Sequence, residues 1–287
     1  MASVGVLLGG GGARGLAHIG VLEGLEELGL TPMAVVGVSM GAIVGATYTQ
    51  RADWSAALRA QRWDRLPVVS EAPDGDLIER LSAYGRRLRR LAPAVTHWSP
   101  SGGWSADARS VLTDLLGEQP RHADCRVPFV AVATDLRAGT RRVLEGDPLL
   151  DAVLASASIP GLAQPVALAG GYLIDGGFAD PAPVDVVRTL GAERVVAVHV
   201  GLAAEEEAAE NWSGALLQAL EIGHRAFADA RFRHADVLLR PTFSTITRML
   251  DFSSVADLID AGRAAVDAHR ADLLALGDDE QAMHPGR

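Results

Sequence analysis

The chain contains no lysine, and all 26 of its basic residues are arginines. That absence removes the phosphate-loop pattern G-x-x-x-x-G-K-[ST], whose lysine reaches the phosphates of a bound nucleotide. Cysteine is nearly missing too: Cys125 stands alone, which excludes an internal disulfide and a thiolate metal cage. No apolar run reaches the ~20 residues that a membrane-crossing helix needs. The amino end, Met-Ala-Ser-Val-Gly-Val-Leu-Leu, lacks both the basic start and the small-residue cleavage site of a secretory signal. Positive charge is in deficit, 26 basic against 36 acidic residues, and a net charge of -10 has the wrong sign for a nucleic-acid partner. Neither a His-Glu-x-x-His nor an EF-hand pattern occurs, so no metal and no cofactor is expected. Together these features favour the cytoplasm as the expected location, with room left for peripheral contact with a membrane.

What is present is enough for a large core. The chain has 287 residues, 48% of them hydrophobic, and alternates short apolar runs with stretches of helical spacing. Ser3 to Leu8 reads as a strand, and Leu16 to Leu28 as a helix with Gly29 as its C-cap. A second strand ends at Ala34-Val35-Val36, before a helix over Ala42 to Tyr48. Further strands are predicted at Phe129–Ala133, Val195–Val200 and Val237–Leu239, with a hairpin from Val166–Leu168 to Tyr172–Ile174. Helices are predicted at Ala182–Leu190, Asn211–Asp229 and Val255–Leu274. Short strands separated by helices imply a mostly parallel sheet covered on both faces, an α/β fold of three layers, α/β/α.

Between Trp54 and Gly117 the pattern turns to helices without strands, and four of the five tryptophans fall there. This reads as a helical cap inserted in a single domain over residues 1–277, with 278–287 a flexible tail. Within the cap, Asp76 to Leu91 sets Leu77, Leu81, Tyr84, Leu88 and Leu91 on one face and Arg80, Arg86, Arg87 and Arg90 elsewhere. Such a helix can lie on a membrane, although a cap helix with a solvated arginine face explains it more simply. Ala92 to Gly103 reads as a flexible loop able to gate a pocket.

Two motifs carry chemistry. Gly37-Val38-Ser39-Met40-Gly41 spells G-x-S-x-G between a strand and a helix, the turn that lifts a nucleophilic serine out of a sheet. Gly9 to Gly15 follows the first strand, and glycines there let backbone N–H groups face an anion. Gly10, Gly12 and Gly15 also satisfy G-x-G-x-x-G, but no acidic residue lies between Glu27 and Asp53 to hold a ribose, so dinucleotide binding loses its main support. A base for Ser39 has two routes. His199 would complete a triad with Asp175, or Asp175, tipping a strand before Gly176-Gly177, would act alone with its pKa raised by burial. The ordinary alternatives are a turn-forming Asp-Gly for Asp175 and a packed strand residue for His199, the latter being preferred. Glu205 to Glu207, Asp135 and His18 read as a solvated stretch, a strand-end turn residue and a helix residue near the glycine loop.

Gly10-Gly11-Gly12-Ala13-Arg14-Gly15, the elbow from Gly37 to Gly41, Ala155-Ser156-Ala157-Ser158-Ile159-Pro160 and Asp175-Gly176-Gly177 occur in this order over roughly residues 4 to 200. In these four parts the chain resembles the bacterial patatin-like phospholipases, Ser-Asp dyad lipid acyl hydrolases similar also to the catalytic domain of cytosolic phospholipase A2. The resemblance implies Ser39 as nucleophile, Asp175 as base, the backbone of Gly10, Gly11 and Gly12 as oxyanion hole, and no catalytic histidine. Arg14, Gly15, Gly37, Gly41, Gly176 and Gly177 are implied as supporting positions. Phospholipids or other acyl esters are the implied substrates. A soluble acyl esterase or thioesterase with the same dyad, and a non-catalytic lipid- or nucleotide-binding protein, remain as alternatives.

Overall fold

A computed structural model describes residues 2–66, 103–146, 148–160, 162–201, 212–243 and 251–277. Eight strands form one sheet: β1 (Val4–Leu8), β2 (Ala34–Val38), β3 (Phe129–Asp135), β4 (Thr140–Leu144), β5 (Val166–Leu168), β6 (Gly171–Asp175), β7 (Arg194–Val198) and β8 (Val237–Leu239). The order is β5-β6-β3-β2-β1-β7-β8, with β4 paired to β3 off this path. From β3 to β8 the strands are parallel, while β4, β5 and β6 form an antiparallel end.

The central strands are apolar throughout because both of their faces are covered. In β1, Val6 and Leu8 join one hydrophobic cluster and Leu7 the other; in β3, Phe129, Ala131 and Ala133 face opposite to Val130 and Val132. The larger cluster holds α1 (Ala17–Glu27), α2 (Met40–Gln50), α3 (Trp54–Ala60), α4 (Gly103–Leu116) and α5 (Leu149–Ser156). The smaller cluster takes in α6 (Val184–Thr189) and the end of α7 (Trp212–Phe232). The remaining helices, α8 (Val255–Ala268) and α9 (Arg270–Ala275), join the larger cluster. This is the three-layer α/β/α fold read from the sequence.

Several boundaries differ from the sequence reading. The predicted helix over Val255–Leu274 is two helices, broken at His269, whose backbone leaves helical geometry. The first predicted helix opens with a 3-10 turn over Gly12–Leu16 before α1 begins. Gly29 does end α1, at φ +75, a conformation that favours glycine. Strand β4 and helix α5 were not predicted. The described parts of the Trp54–Gly117 segment are helical, whereas Asp76–Leu91, Glu205–Glu207 and the tail from 278 lie outside the described residues.

Helices α1 and α8 cross closely. A Cβ added at Gly20 would lie 1.9 Å from the Ile259 carbonyl oxygen, and one at Gly262 would lie 1.9 Å from that of Ala17. Side chains there would force the helices apart, so these glycines seat α1 firmly behind the glycine loop.

Candidate active site

Strand β3 brings the two candidate residues together. Its registers with β4 and β6 both include Ala133, and those with β2 and β4 both include Val132, so β2 and β6 share one edge of β3. Along that edge β2 runs parallel and ends with Val38 opposite Val132, while β6 runs antiparallel and ends with Asp175 opposite Ala133. The two carboxyl ends therefore meet head to head, and the residues emerging there are Ser39 and Asp175.

Ser39 occupies φ 56, ψ -124, a region that a non-glycine residue enters only under strain, at a cost of about 1–3 kcal/mol. The surroundings enforce this turn. A Cβ at Gly37 would lie 2.5 Å from the Ala42 Cα, and one at Gly41 2.1 Å from the Leu8 carbonyl oxygen, so both flanks of the elbow touch backbone. Parallel pairing of β2 with β3 begins with the Val35 N–H donating to Pro128 O. Each later rung advances two residues, so the next but one would join the Ser39 N–H to Val132 O. Instead the Ser156 hydroxyl stands between them, accepting from the Ser39 N–H at 3.0 Å and donating to Val132 O at 2.7 Å. This inserted hydroxyl ends the ladder while leaving both buried groups satisfied. Beyond it α2 starts, its amino end directed at the serine and favouring negative charge there.

Asp175 is held at its backbone and its side chain. Its N–H donates to Ser158 O at 2.9 Å, and its own carbonyl accepts from the Thr134 hydroxyl at 2.8 Å. The carboxylate accepts from the Gly177 N–H at 2.8 Å. Gly176 is required by contact: a Cβ there would lie 2.0 Å from Val132 O. Burial pushes the Asp175 carboxyl up to about 6, against the pull of hydrogen bonds from the Ser39 hydroxyl and the Gly177 N–H. The carboxylate thus sits where the Ser39 hydroxyl acts on its titration, and it holds a proton far more readily than one in water.

The glycine loop lies against the elbow. A Cβ at Gly10 would be 3.2 Å from the Ser39 Cβ, and one at Gly11 2.7 Å from the Val200 side chain. Gly12 has φ +57 and lines a cavity with Ser39. Among the described residues, none accepts a hydrogen bond from the N–H groups of Gly10 or Gly11. Gly15 lets the loop close on α2, its added Cβ meeting the Met40 Cβ at 2.5 Å, and Arg14 is buried beside it. His18, on the first turn of α1, bonds the Gly9 carbonyl through Nε2 at 2.7 Å. Burial lowers its pKa to about 4, so the ring is neutral.

A narrow apolar cavity opens at Ser39. Its walls include Met40 and Ile43 of α2, Leu112 of α4, Leu154 of α5, Ile159 and Phe252. Part of the predicted cap therefore faces the serine through Leu66, Ala108, Val111 and Leu112. Phe252, which stacks on Trp63 at 5.9 Å, lies in the region after Val200 where no motif falls. A wider concavity, about 620 Å³, lies elsewhere, lined by Glu23, Glu27, Asp53, Arg59 and Arg263. It touches neither candidate residue, and Glu23 there is paired with Arg59 and Arg263.

His199 does not join Ser39 and Asp175. It stacks on Phe232 at 4.4 Å and its Nδ1 meets Arg240 at 2.8 Å, the packed role preferred from the sequence. Asp135 also matches its reading, accepting from the N–H groups of Arg137 and Ala138 at the end of β3. Thr134 and Phe252, which local patterning did not single out, act through the fold rather than through sequence neighbours, whereas His18 matches its reading as a helix residue near the glycine loop and Ser156 lies in one of the four motifs.

The chain matches the family model for patatin-like phospholipases over residues 6–188. It is similar to patatin-like phospholipase domain-containing protein 7 of Rattus norvegicus, at 27% identity over 275 residues, which is 93% of this chain and 19% of that protein. An uncharacterised NTE family protein of Mycobacterium bovis is 33% identical over 200 residues, 68% of this chain and 48% of that protein. The chain therefore spans about a fifth of the first relative and about half of the second. Among solved structures, VipD from Legionella pneumophila aligns with a TM-score of 0.46 at 15% identity, over 94% of this chain and 67% of that one.

Proposed function

This chain belongs to the patatin-like phospholipase family, and from that premise we propose that it is a lipid acyl hydrolase working through a Ser39–Asp175 dyad. The observation that carries the proposal is the meeting of a strained serine at the N-cap position of α2 with a buried carboxylate at the facing strand end, whose pKa is raised to about 6. Burial leaves that carboxylate ionised near neutral pH yet basic enough to take a hydroxyl proton.

In the proposed reaction Ser39 Oγ attacks the ester carbonyl while its proton passes to Asp175. The N–H groups of Gly10, Gly11 and Gly12 receive the oxyanion, a contribution worth about 10²–10³ in rate per donor. Collapse expels the alcohol, which leaves with the proton from Asp175. Water then attacks the acyl-enzyme, gives a proton to Asp175, and Ser39 recovers it as the acid departs. Arg14 and the supporting glycines keep the loop and elbow in shape.

The apolar cavity beside Ser39 suits an acyl chain, with residues 54–117 as its cap within one domain over 1–277. Phospholipid esters fit the family; soluble acyl esters would meet the same cavity. The proposal places the protein in the cytoplasm, meeting lipid at the membrane surface. No helix among the described residues is long and apolar enough to cross a membrane.

The test is hydrolysis of p-nitrophenyl esters of increasing chain length and of phosphatidylcholine vesicles by wild type, Ser39→Ala and Asp175→Asn, with folding followed by circular dichroism. Hydrolysis lost in both folded variants supports the dyad. Hydrolysis surviving in both refutes it.

A further inference from the structure

We propose that His18 is a positioning residue for the oxyanion hole, holding the Gly9 carbonyl so that the Gly10 N–H faces the reacting ester. The inference rests on the hydrolase reading above and adds to it the device that orients the first donor.

The Gly9–Gly10 peptide bridges the sheet and the nucleophile. At one end the Gly9 N–H donates to Val198 O at 3.1 Å. At the other, Gly10 packs on Ser39, its added Cβ 3.2 Å from the serine Cβ. A trans peptide is planar, so its carbonyl and its N–H point in opposite directions. Whatever fixes the Gly9 carbonyl therefore fixes the Gly10 N–H as well. Two consecutive glycines have no side chains to oppose rotation of the peptide between them, and the alternative orientation would turn a carbonyl oxygen toward the developing oxyanion.

His18 supplies that restraint. Its Nε2 lies 2.7 Å from Gly9 O, and because a carbonyl only accepts, Nε2 carries the proton. The ring is fully buried, on a helix seated by the Gly20 and Gly262 contacts, so it cannot follow a rotating peptide. Its other nitrogen, Nδ1, has no partner among the described residues. A buried imidazole with an unmet acceptor is a poorer core residue than leucine would be. Its one polar contact, to the loop, is what distinguishes it.

The experiment compares His18→Leu, His18→Asn and His18→Gln with wild type. Glutamine can place its amide nitrogen where Nε2 stands and still donate to Gly9 O, whereas asparagine reaches only the Nδ1 position and leucine donates nothing. With p-nitrophenyl butyrate, the Leu and Asn variants should lose about 10²–10³ in kcat, the cost of one oxyanion donor, with KM within about threefold. Gln should recover to within about tenfold of wild type. Affinity for an alkyl trifluoromethyl ketone, whose serine adduct carries the oxyanion, should fall in step with kcat/KM, which loss of general packing would not produce. If leucine prevents folding, the Asn and Gln pair decides. Equal kcat in those two variants overturns the role of His18 while leaving the dyad standing. Absence of Ser39-dependent hydrolysis in wild type overturns the hydrolase reading itself.

Discussion

Asp175 and Asp180 are near neighbours in the chain and almost equally buried, at 5% and 3% exposure, yet their surroundings are opposite. Asp180 faces two guanidiniums, Arg141 at 2.7 Å and Arg231 at 2.7 Å, and the same arginines hold Asp185 well below the usual carboxylate range. Asp175 has no arginine partner among the described residues and receives only the Ser39 hydroxyl and the Gly177 N–H. Burial therefore produces two kinds of carboxylate. Matched with fixed cations, it ties β4, α6 and α7 together; left with two neutral donors, it has the raised pKa that the proposed role of base requires.

Exchange of the carboxylates for amides should separate the two roles. Asp175→Asn and Ser39→Ala should each lower kcat by at least about 10³-fold, read in ester hydrolysis, with the fold retained. Asp180→Asn should leave kcat within a few-fold but destabilise the protein by about 3 kcal/mol, measured by urea unfolding. That figure sits at the low end for a broken buried pair because Arg141 and Arg231 keep Asp185 and partial contact with water.

The stability effect of Asp175→Asn should have the opposite sign. The folded carboxyl titrates at about 6 against an ordinary value of 3.8, so its stabilising contribution is complete below pH 3.8 and is lost as pH rises to 6. Asparagine does not titrate, and the variant should gain up to about 3 kcal/mol on wild type across that interval. Unfolding titrations at pH 4 and pH 7.5 would show this, and a constant difference would contradict the raised pKa. The smallest expected effect is that of Ser156→Ala, which strands the Ser39 N–H and Val132 O and should cost about 1–3 kcal/mol. The turn it loosens should lower kcat on the order of tenfold, whereas Ser158→Ala, whose hydroxyl bonds Leu154 O at 2.7 Å, should spare catalysis.

The parts of the site legible in the sequence are those whose chemistry is local. A glycine-flanked serine between strand and helix needs only its neighbours to be recognised, and so does an Asp-Gly-Gly turn. The placement of Ser39 and Asp175 as candidates, the glycine loop and the parallel strands β1, β2, β3, β7 and β8 all rest on such short patterns. Strand β4 escaped because Thr140–Leu144 carries Arg141 and Arg142 on an edge, where charge replaces the apolar run. Ser156, His18 and Phe252 were not assigned their contacts because each acts on a residue brought near only by the sheet or by helix packing. Nothing around Ser156 in the chain shows that β2 and β6 will meet there. The break at His269 was hidden because the apolar spacing of Ile259, Val266 and Leu273 continues through it into α9.

The most direct measurement is the pH dependence of covalent labelling of Ser39 by a fluorophosphonate, comparing wild type with Asp175→Asn. The account predicts a wild-type rate that rises through about pH 6, as Asp175 loses its proton, and then levels. Asp175→Asn should label slowly, without that rise. Labelling of Asp175→Asn at the wild-type rate and with the same profile would contradict the claim that Asp175 activates the serine.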